Sequence, residues 1–322
     1  MRRGALLSLV LVVALVLPFV IGYAEDAKYT FYGVAVEPSV DPFFAMVLKG
    51  FEAAEEIFPV DVVYIGLSAE EINPTGLVNK LEIARAAKPD GVITGFWMAE
   101  AEDEVVRAMI DSGIAVMAIN QNDVRAPEER IPYLGYVGQD ESSTGQALAE
   151  ATIARMDVKR AVIGIHAVGS ASLETRAAGI AAVLDANGIP YDKVDITTNT
   201  ATAVTNLGAY LIQHPDTNVI FALGASGTHS ALALLAEQDL AGKVVISTFD
   251  ITEPTVEGIR DGRILLTVSQ QPFMQSFMAV QLLYTYLEYG VLPPTHIPTG
   301  PTLVDIDTID AIEKQVETTG GA

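Results

Sequence analysis

From Tyr29 onward the chain alternates short β-branched apolar runs with stretches of ten or more residues whose apolar positions recur at helical spacing. A short strand followed by a helix, repeated many times, is the pattern of βαβ units and a parallel sheet. The pattern predicts strands over residues 31–36, 60–65, 91–94 and 115–119, with helices over 42–56, 74–87 and 100–111. A second series predicts strands over 161–165, 193–197, 219–222, 244–248 and 264–269, with helices over 174–186, 201–213 and 228–238.

The two series keep a constant offset, as two copies of one topology should. Gly50-Phe51 and Gly179-Ile180 are 129 residues apart, Lys88-Pro89-Asp90 and His214-Pro215-Asp216 are 126 apart, and Asn120 and Asp250, each ending a fourth strand, are 130 apart. A chain of 322 residues exceeds what one hydrophobic core usually supports, and two α/β lobes of like topology account for that length. Open parallel sheets bind ligands beyond the carboxyl ends of their strands. Two such lobes facing each other enclose a ligand between those ends, so the residues just after strands carry the functional interest.

Composition narrows the ligand. With 19 Lys and Arg against 41 Asp and Glu, the net charge is −22, which disfavours nucleic acid and anionic lipid as partners. Half the residues are hydrophobic and only 19% are charged, which excludes a disordered chain. The absence of cysteine removes disulfides, thiolate metal sites, Cys nucleophiles and thiol-linked lipid anchors together.

The N-terminus has the layout of a secretory signal peptide: Met1-Arg2-Arg3, then 21 uncharged residues over 4–24 broken by Pro18, then small residues in Gly22-Tyr23-Ala24 before the acidic pair Glu25-Asp26. Cleavage is expected after Ala24, which removes Arg2 and Arg3, takes the net charge to −24 and sends the product to the periplasm as a soluble chain. An uncleaved membrane anchor competes with this reading, and Pro18 and the small residues favour cleavage.

At the strand ends, Glu37-Pro38-Ser39-Val40-Asp41-Pro42-Phe43-Phe44 follows the first strand. Asp41 suits a helix N-cap and Pro42 a first turn. Two adjacent Phe on one helix are not expected both to face its core, so one of Phe43 and Phe44 should turn to the cleft, where an aromatic face covers the C–H side of a sugar ring. Trp97, the one Trp of the chain, follows the third strand, and Asn120-Gln121 and Asp250 follow the two fourth strands. Arg176 and Gln270 add a guanidinium and an amide. Planar carboxylate, amide and guanidinium groups each offer paired hydrogen-bond positions that match vicinal hydroxyls, so this set suits a polyol.

Catalytic motifs are missing. His166, His214, His229 and His296 are scattered without metal-ligand spacing, and there is no GxSxG, GxGxxG or GxxxxGK[ST] segment. No enzyme, cofactor or metal is expected.

Over nearly its whole length the chain after the leader resembles the periplasmic sugar-binding proteins of the ribose and galactose type, receptors of ABC importers. The resemblance rests on Asp41-Pro42-Phe43-Phe44 with Lys49-Gly50-Phe51, on Tyr136-Val137-Gly138-Gln139-Asp140 with Gly145, and on Arg176 with Gly179. His214-Pro215-Asp216, Thr248-Phe249-Asp250 with Ile259-Arg260-Asp261-Gly262, and Gln270-Gln271-Pro272 complete it. It implies a periplasmic binding protein type I fold: two Rossmann-like lobes joined by three crossovers, hinged around an interlobe cleft. Crossovers are expected near Gly138 to Asp140, Gln270 to Pro272 and Pro298 to Pro301. The N-terminal lobe would then be 28–138 plus 271–299 and the C-terminal lobe 139–270 plus 300–322, with a terminal helix over 305–316. The resemblance matches Asp41, Phe43 and Phe44 to first-lobe polar and aromatic ligand contacts, Asp250 to the carboxylate of the second lobe, and Gln270, also a ligand-site candidate, to an amide near a hinge. It also shows three departures: Asn120-Gln121 where the ribose type has Asp-Arg, Gly224-Ala225 where it has Asn-Asp, and Glu37 in place of a small polar residue, also taken as a site candidate. The implied function is to bind a monosaccharide or polyol as a monomer and deliver it to a membrane permease. The alternative is a ligand-sensing subunit for a membrane sensor.

Overall fold

The computed structural model describes residues 27–41 and 43–312. The expected leader with its expected cleavage point, Pro42 and the end of the expected terminal helix lie outside them. In chain order the first elements are β1 (Tyr29–Val36), α1 (Phe43–Glu55), β2 (Val60–Leu67), α2 (Pro74–Ala87), β3 (Gly91–Thr94), α3 (Ala99–Asp111), β4 (Ala115–Ile119) and β5 (Gly135–Gly138). There follow α4 (Glu141–Arg155), β6 (Ala161–Ile165), α5 (Ala171–Ala186), β7 (Tyr191–Asp195), α6 (Thr200–Gln213), β8 (Val219–Ala222), α7 (Ala225–Glu237), β9 (Val245–Phe249) and α8 (Glu253–Arg260). The last are β10 (Ile264–Ser269), α9 (Pro272–Tyr289), β11 (His296–Pro298) and β12 (Thr302–Val304).

These elements build two six-stranded sheets, ordered β11-β5-β4-β3-β1-β2 and β12-β10-β9-β8-β6-β7. Every pairing is parallel except that of β10 with β12. The central strands are apolar on both faces because both faces are covered. Adjacent side chains in a strand point to opposite sides, and Val92 packs with Val116, Leu77 and Leu81 on one side of the first sheet while Ile93 packs with Phe31, Met117 and Val47 on the other. The second sheet is sandwiched in the same way, with Ile163 and Phe221 toward α4 and α5 and Val162 and Ile220 toward α6 and α7.

The chain passes from the first sheet to the second between β5 and α4, returns between β10 and α9, and passes again between β11 and β12. Each sheet is thus covered on one face by a helix that enters from the other half: α9 lies along α1, and α4 lies along α5. The paired glycines of the repeat mark these two crossings. A Cβ on Gly50 would sit 2.3 Å from the Phe273 carbonyl oxygen of α9, and one on Gly179 would sit 2.2 Å from the Ser142 carbonyl oxygen of α4. Gly145 meets the Arg176 carbonyl oxygen at 2.2 Å from the opposite side, so α4 and α5 touch backbone to backbone.

The strand pattern predicted from sequence falls on β1–β4, β6, β8, β9 and β10 within a few residues. β7 lies two residues earlier than expected, because its register is fixed by pairing of Tyr191 with Ala161 on an exposed edge. Helices α5 and α7 begin three residues earlier than their apolar periodicity indicated. The first turn of each faces the cleft instead of the core. Helices α4, α8 and α9 have no counterpart among the elements expected from the apolar pattern. The described part of the expected terminal helix is a turn over 306–308 followed by helix at 309–312.

Candidate functional site

The carboxyl ends of both sheets open onto one cavity of about 450 Å³ between the two halves. Asp41, Phe43, Phe44, Trp97, Asn120, Gln121, Arg176, Asp250 and Gln270 all line it. Glu37 does not. Its side chain lies over Gly66 of β2 and accepts a hydrogen bond from Ser39 Oγ at 3.3 Å, turned away from the cavity.

Both Phe43 and Phe44 reach the cavity wall, contrary to the expectation that only one would. They occupy the first turn of α1, where the helix end itself borders the cleft, and their rings meet edge to face at 5.0 Å. Both are also buried, at 6% and 4% exposure. Trp97 stands 6.2 Å from Phe44, so three aromatic rings form one continuous wall on the first half. Asp41 accepts the Phe43 backbone N–H at 3.0 Å, which caps α1 and fixes the carboxylate at the cavity edge.

Asn120 and Asp250, the matched residues after β4 and β9, share a second property that spacing alone does not reveal. Both adopt left-handed backbone, φ 59° and 71°, a conformation that Asn and Asp tolerate better than other non-glycine residues. The turn aims each side chain across the sheet end. Asp250 is buried, accepts the Ala225 N–H at 2.9 Å on one oxygen, and accepts Gln270 Nε2 on the other.

Arg176 is 3% exposed and engaged through four of its five N–H groups. Nε donates to Glu141 Oε2 at 2.8 Å, and Nη2 lies 2.7 Å from the same oxygen. Nη1 donates to the Leu223 carbonyl, Nη2 donates to Gln270 Oε1 at 3.1 Å, and the guanidinium carbon stands 4.0 Å over the Phe249 ring. Glu141 was not foreseen from sequence, where an acidic residue after a strand in a chain with 41 of them carries no signal.

His166 was also missed. It lines the cavity directly after β6, 129 residues beyond Glu37, and that offset could have singled it out. Its ring fills the space beside Gly224: a Cβ there would stand 2.9 Å from His166 Cε1. The departure Gly224-Ala225 is therefore matched in space by an imidazole from the neighbouring strand.

The electrostatics follow from burial. Desolvation, reinforced by the negative charge of Asp250, pushes Asp41 up to about 6, against the Phe43 N–H and Arg176, which pull it down. Asp250 and Glu141 are also raised by burial and partly restrained by Arg176. Burial, with Arg176 nearby, brings His166 down to about 4, so its imidazole is neutral at pH 7. The four histidines form no metal site, and no group of His, Asp and Glu suited to a metal occurs among the described residues.

Outside the crossovers, one hydrogen bond joins the two halves among the described residues: Gln121 Nε2 donates to Ser172 Oγ at 2.8 Å. At the crossovers Gln139, Gln270, Gln275 and Thr299 bind one another, with Thr299 Oγ1 donating to the Gln270 carbonyl at 2.8 Å and Gln139 Nε2 lying 3.2 Å from Gln270 Oε1.

A two-lobed α/β molecule with one polar and aromatic cavity at facing sheet ends is the architecture of an extracytoplasmic solute receptor. The periplasmic binding protein domain family matches residues 32–290, and the chain belongs to that family. It is 25% identical over 278 residues to a xylose/arabinose-binding protein of Sulfolobus acidocaldarius, covering 83% of this chain and 68% of that one. It is 23% identical over 274 residues to a D-ribose/D-allose-binding protein of Pseudomonas aeruginosa, covering 82% and 84%. Among solved structures, a carbohydrate transporter protein from Acidothermus cellulolyticus in complex with myo-inositol superimposes with a TM-score of 0.81 at 25% identity, covering 90% of this chain and 99% of that one.

Proposed function

We propose that this protein is the extracytoplasmic receptor of an ABC sugar importer, binding a monosaccharide or related polyol in the interlobe cavity and delivering it to the permease. The observation that carries this reading is the cavity wall itself. Three aromatic rings line it on the first half together with Asp41, Asn120 and Gln121, and Asp250 lines it on the second, a combination that covers the C–H face of a sugar while bonding its hydroxyls. The family and the sugar-binding relatives support the same ligand class.

In this reading the protein performs no chemistry on its ligand and works as a monomer, exported with its leader cleaved after Ala24. The two moving bodies are 28–138 plus 271–299 and 139–270 plus 300–322. Closure is driven by a ligand that touches both at once. The test is a thermal-shift panel of D-xylose, L-arabinose, D-ribose, D-allose and myo-inositol. A ligand at about 1,000 times its Kd adds ~4 kcal/mol to native stability and so raises Tm by several degrees. No shift with any pentose, hexose or cyclitol refutes carbohydrate binding. N-terminal sequencing of the exported protein tests the cleavage, and gel filtration tests the monomer.

A further inference from the structure

Arg176 is the one basic side chain in the cavity wall, and it does not face the cavity as a free charge. Glu141 holds it through Nε and Nη2, and the Leu223 carbonyl and Gln270 amide take two more of its N–H groups. A guanidinium has five N–H donors, so little beyond one proton on Nη1 is left for a ligand. Glu141 is held in turn by Gln139 Nε2 at 2.8 Å, while its Oε1 is buried with no partner. Its only strong partner is the arginine.

The charge balance of the site follows. Glu141 and Arg176 form the ion pair, and Asp41 and Asp250 remain at the cavity without one, feeling Arg176 only at longer range; His166, the other titratable group in the wall, is neutral at pH 7. Each of these two carboxylates is bonded to neutral donors: Asp41 to the Phe43 N–H, and Asp250 to the Ala225 N–H and the Gln270 amide.

We infer that Glu141 sets the charge selectivity of this cleft: by taking up the charge of Arg176 it leaves two uncompensated carboxylates at the cavity, so that the site accepts neutral polyols and rejects sugar acids. This rests on the sugar-receptor reading and adds to it a residue that positions Arg176 and decides which carbohydrates enter.

The experiment measures D-xylose, L-arabinose and myo-inositol, and the uronates D-glucuronate and D-galacturonate, by calorimetric titration at pH 7.5. The proteins are the wild type, Glu141→Gln, Glu141→Asp and Asp41→Asn, each checked for folding by its melting curve. The wild type should bind its best neutral ligand at least about 100-fold more tightly than either uronate, the effect of one like-charge contact in a site of moderate dielectric. Glu141→Gln frees the guanidinium and should gain at least about 10-fold for a uronate while losing affinity for the neutral ligand. Glu141→Asp keeps the charge and should keep the rejection; a purely structural role would make the Asp and Gln variants alike. Asp41→Asn reports independently of any folding defect at position 141 and should also gain about 10-fold for a uronate, because it removes one of the two repelling charges. A wild type that binds a uronate as tightly as its neutral ligand overturns the inference and leaves the receptor reading intact. So do variants whose uronate affinity does not rise. A wild type that binds none of the neutral ligands and no uronate overturns the receptor reading, and the inference with it.

Discussion

Asp41→Asn is the substitution for which the structure gives the clearest energetic account. The Asp41 carboxyl is half-buried beside Phe43 and faces Asp250 across the cavity, and desolvation holds its pKa at about 6 against an ordinary 3.8. A raised native pKa means that the native state binds more protons than the unfolded chain between about pH 4 and pH 6, so stability falls as pH rises through that window. The difference corresponds to ~3 kcal/mol, absent below about pH 4 and fully present above about pH 6. Asparagine keeps the acceptor for the Phe43 N–H and removes the charge. The ligand-free variant should therefore melt about 5 °C above the wild type at pH 8 and within about 1 °C of it at pH 3.8. The assay is paired melting curves, without ligand, at half-unit pH steps from 3.8 to 8. A variant that melts at or below the wild type at pH 8, or a gain that does not shrink as the solution is acidified, refutes the burial argument. The same substitution should weaken binding of a neutral sugar at least about 10-fold, since an ionised acceptor is lost. A cavity-lining residue that costs native stability is what a site held ready for its ligand should contain.

Further outcomes follow from particular contacts. Gln121→Ala and Ser172→Ala remove the one hydrogen bond joining the halves across the cleft, so each should speed ligand dissociation about 5-fold in stopped flow, and the double variant should be no faster than either single one. Phe43→Ala should lower sugar affinity and also native stability by about 3 kcal/mol in denaturant melts, because the ring belongs to the core of the first half as well as to the cavity wall. Gly145→Ala would place a Cβ 2.2 Å from the Arg176 carbonyl oxygen, so α4 must separate from α5, and chemical denaturation should show a loss of about 2 kcal/mol or more together with weakened ligand binding.

Much of this protein was legible in order along the chain. Short β-branched apolar runs located nine of the strands, β7 two residues off, and period-3.6 patterns six of the helices, because the central strands are buried on both faces and each of these helices on the face its pattern marks. The offset near 130 residues predicted two like halves, and the rule that parallel sheets bind at their carboxyl ends gathered nine of the ten proposed site residues into one cavity. Glu37 is the tenth: it follows a strand end, but the turn over 38–40 carries the chain away and leaves it over Gly66.

The remainder was settled by contacts between residues far apart in sequence. The sequence by itself determined the α/β class, the duplication and the chemical set at the strand ends, since these depend on local periodicity and residue type. Only the tertiary structure decided that α4 lies backbone to backbone on α5, that both Phe43 and Phe44 face the cavity, and that His166 stands where Gly224 leaves room. It alone decided that Arg176 is neutralised by Glu141, 35 residues earlier, and bound to Gln270, 94 residues later. A charge in a sequence has no partner until the fold supplies one, and in a buried cleft the partner determines whether that charge is available to a ligand.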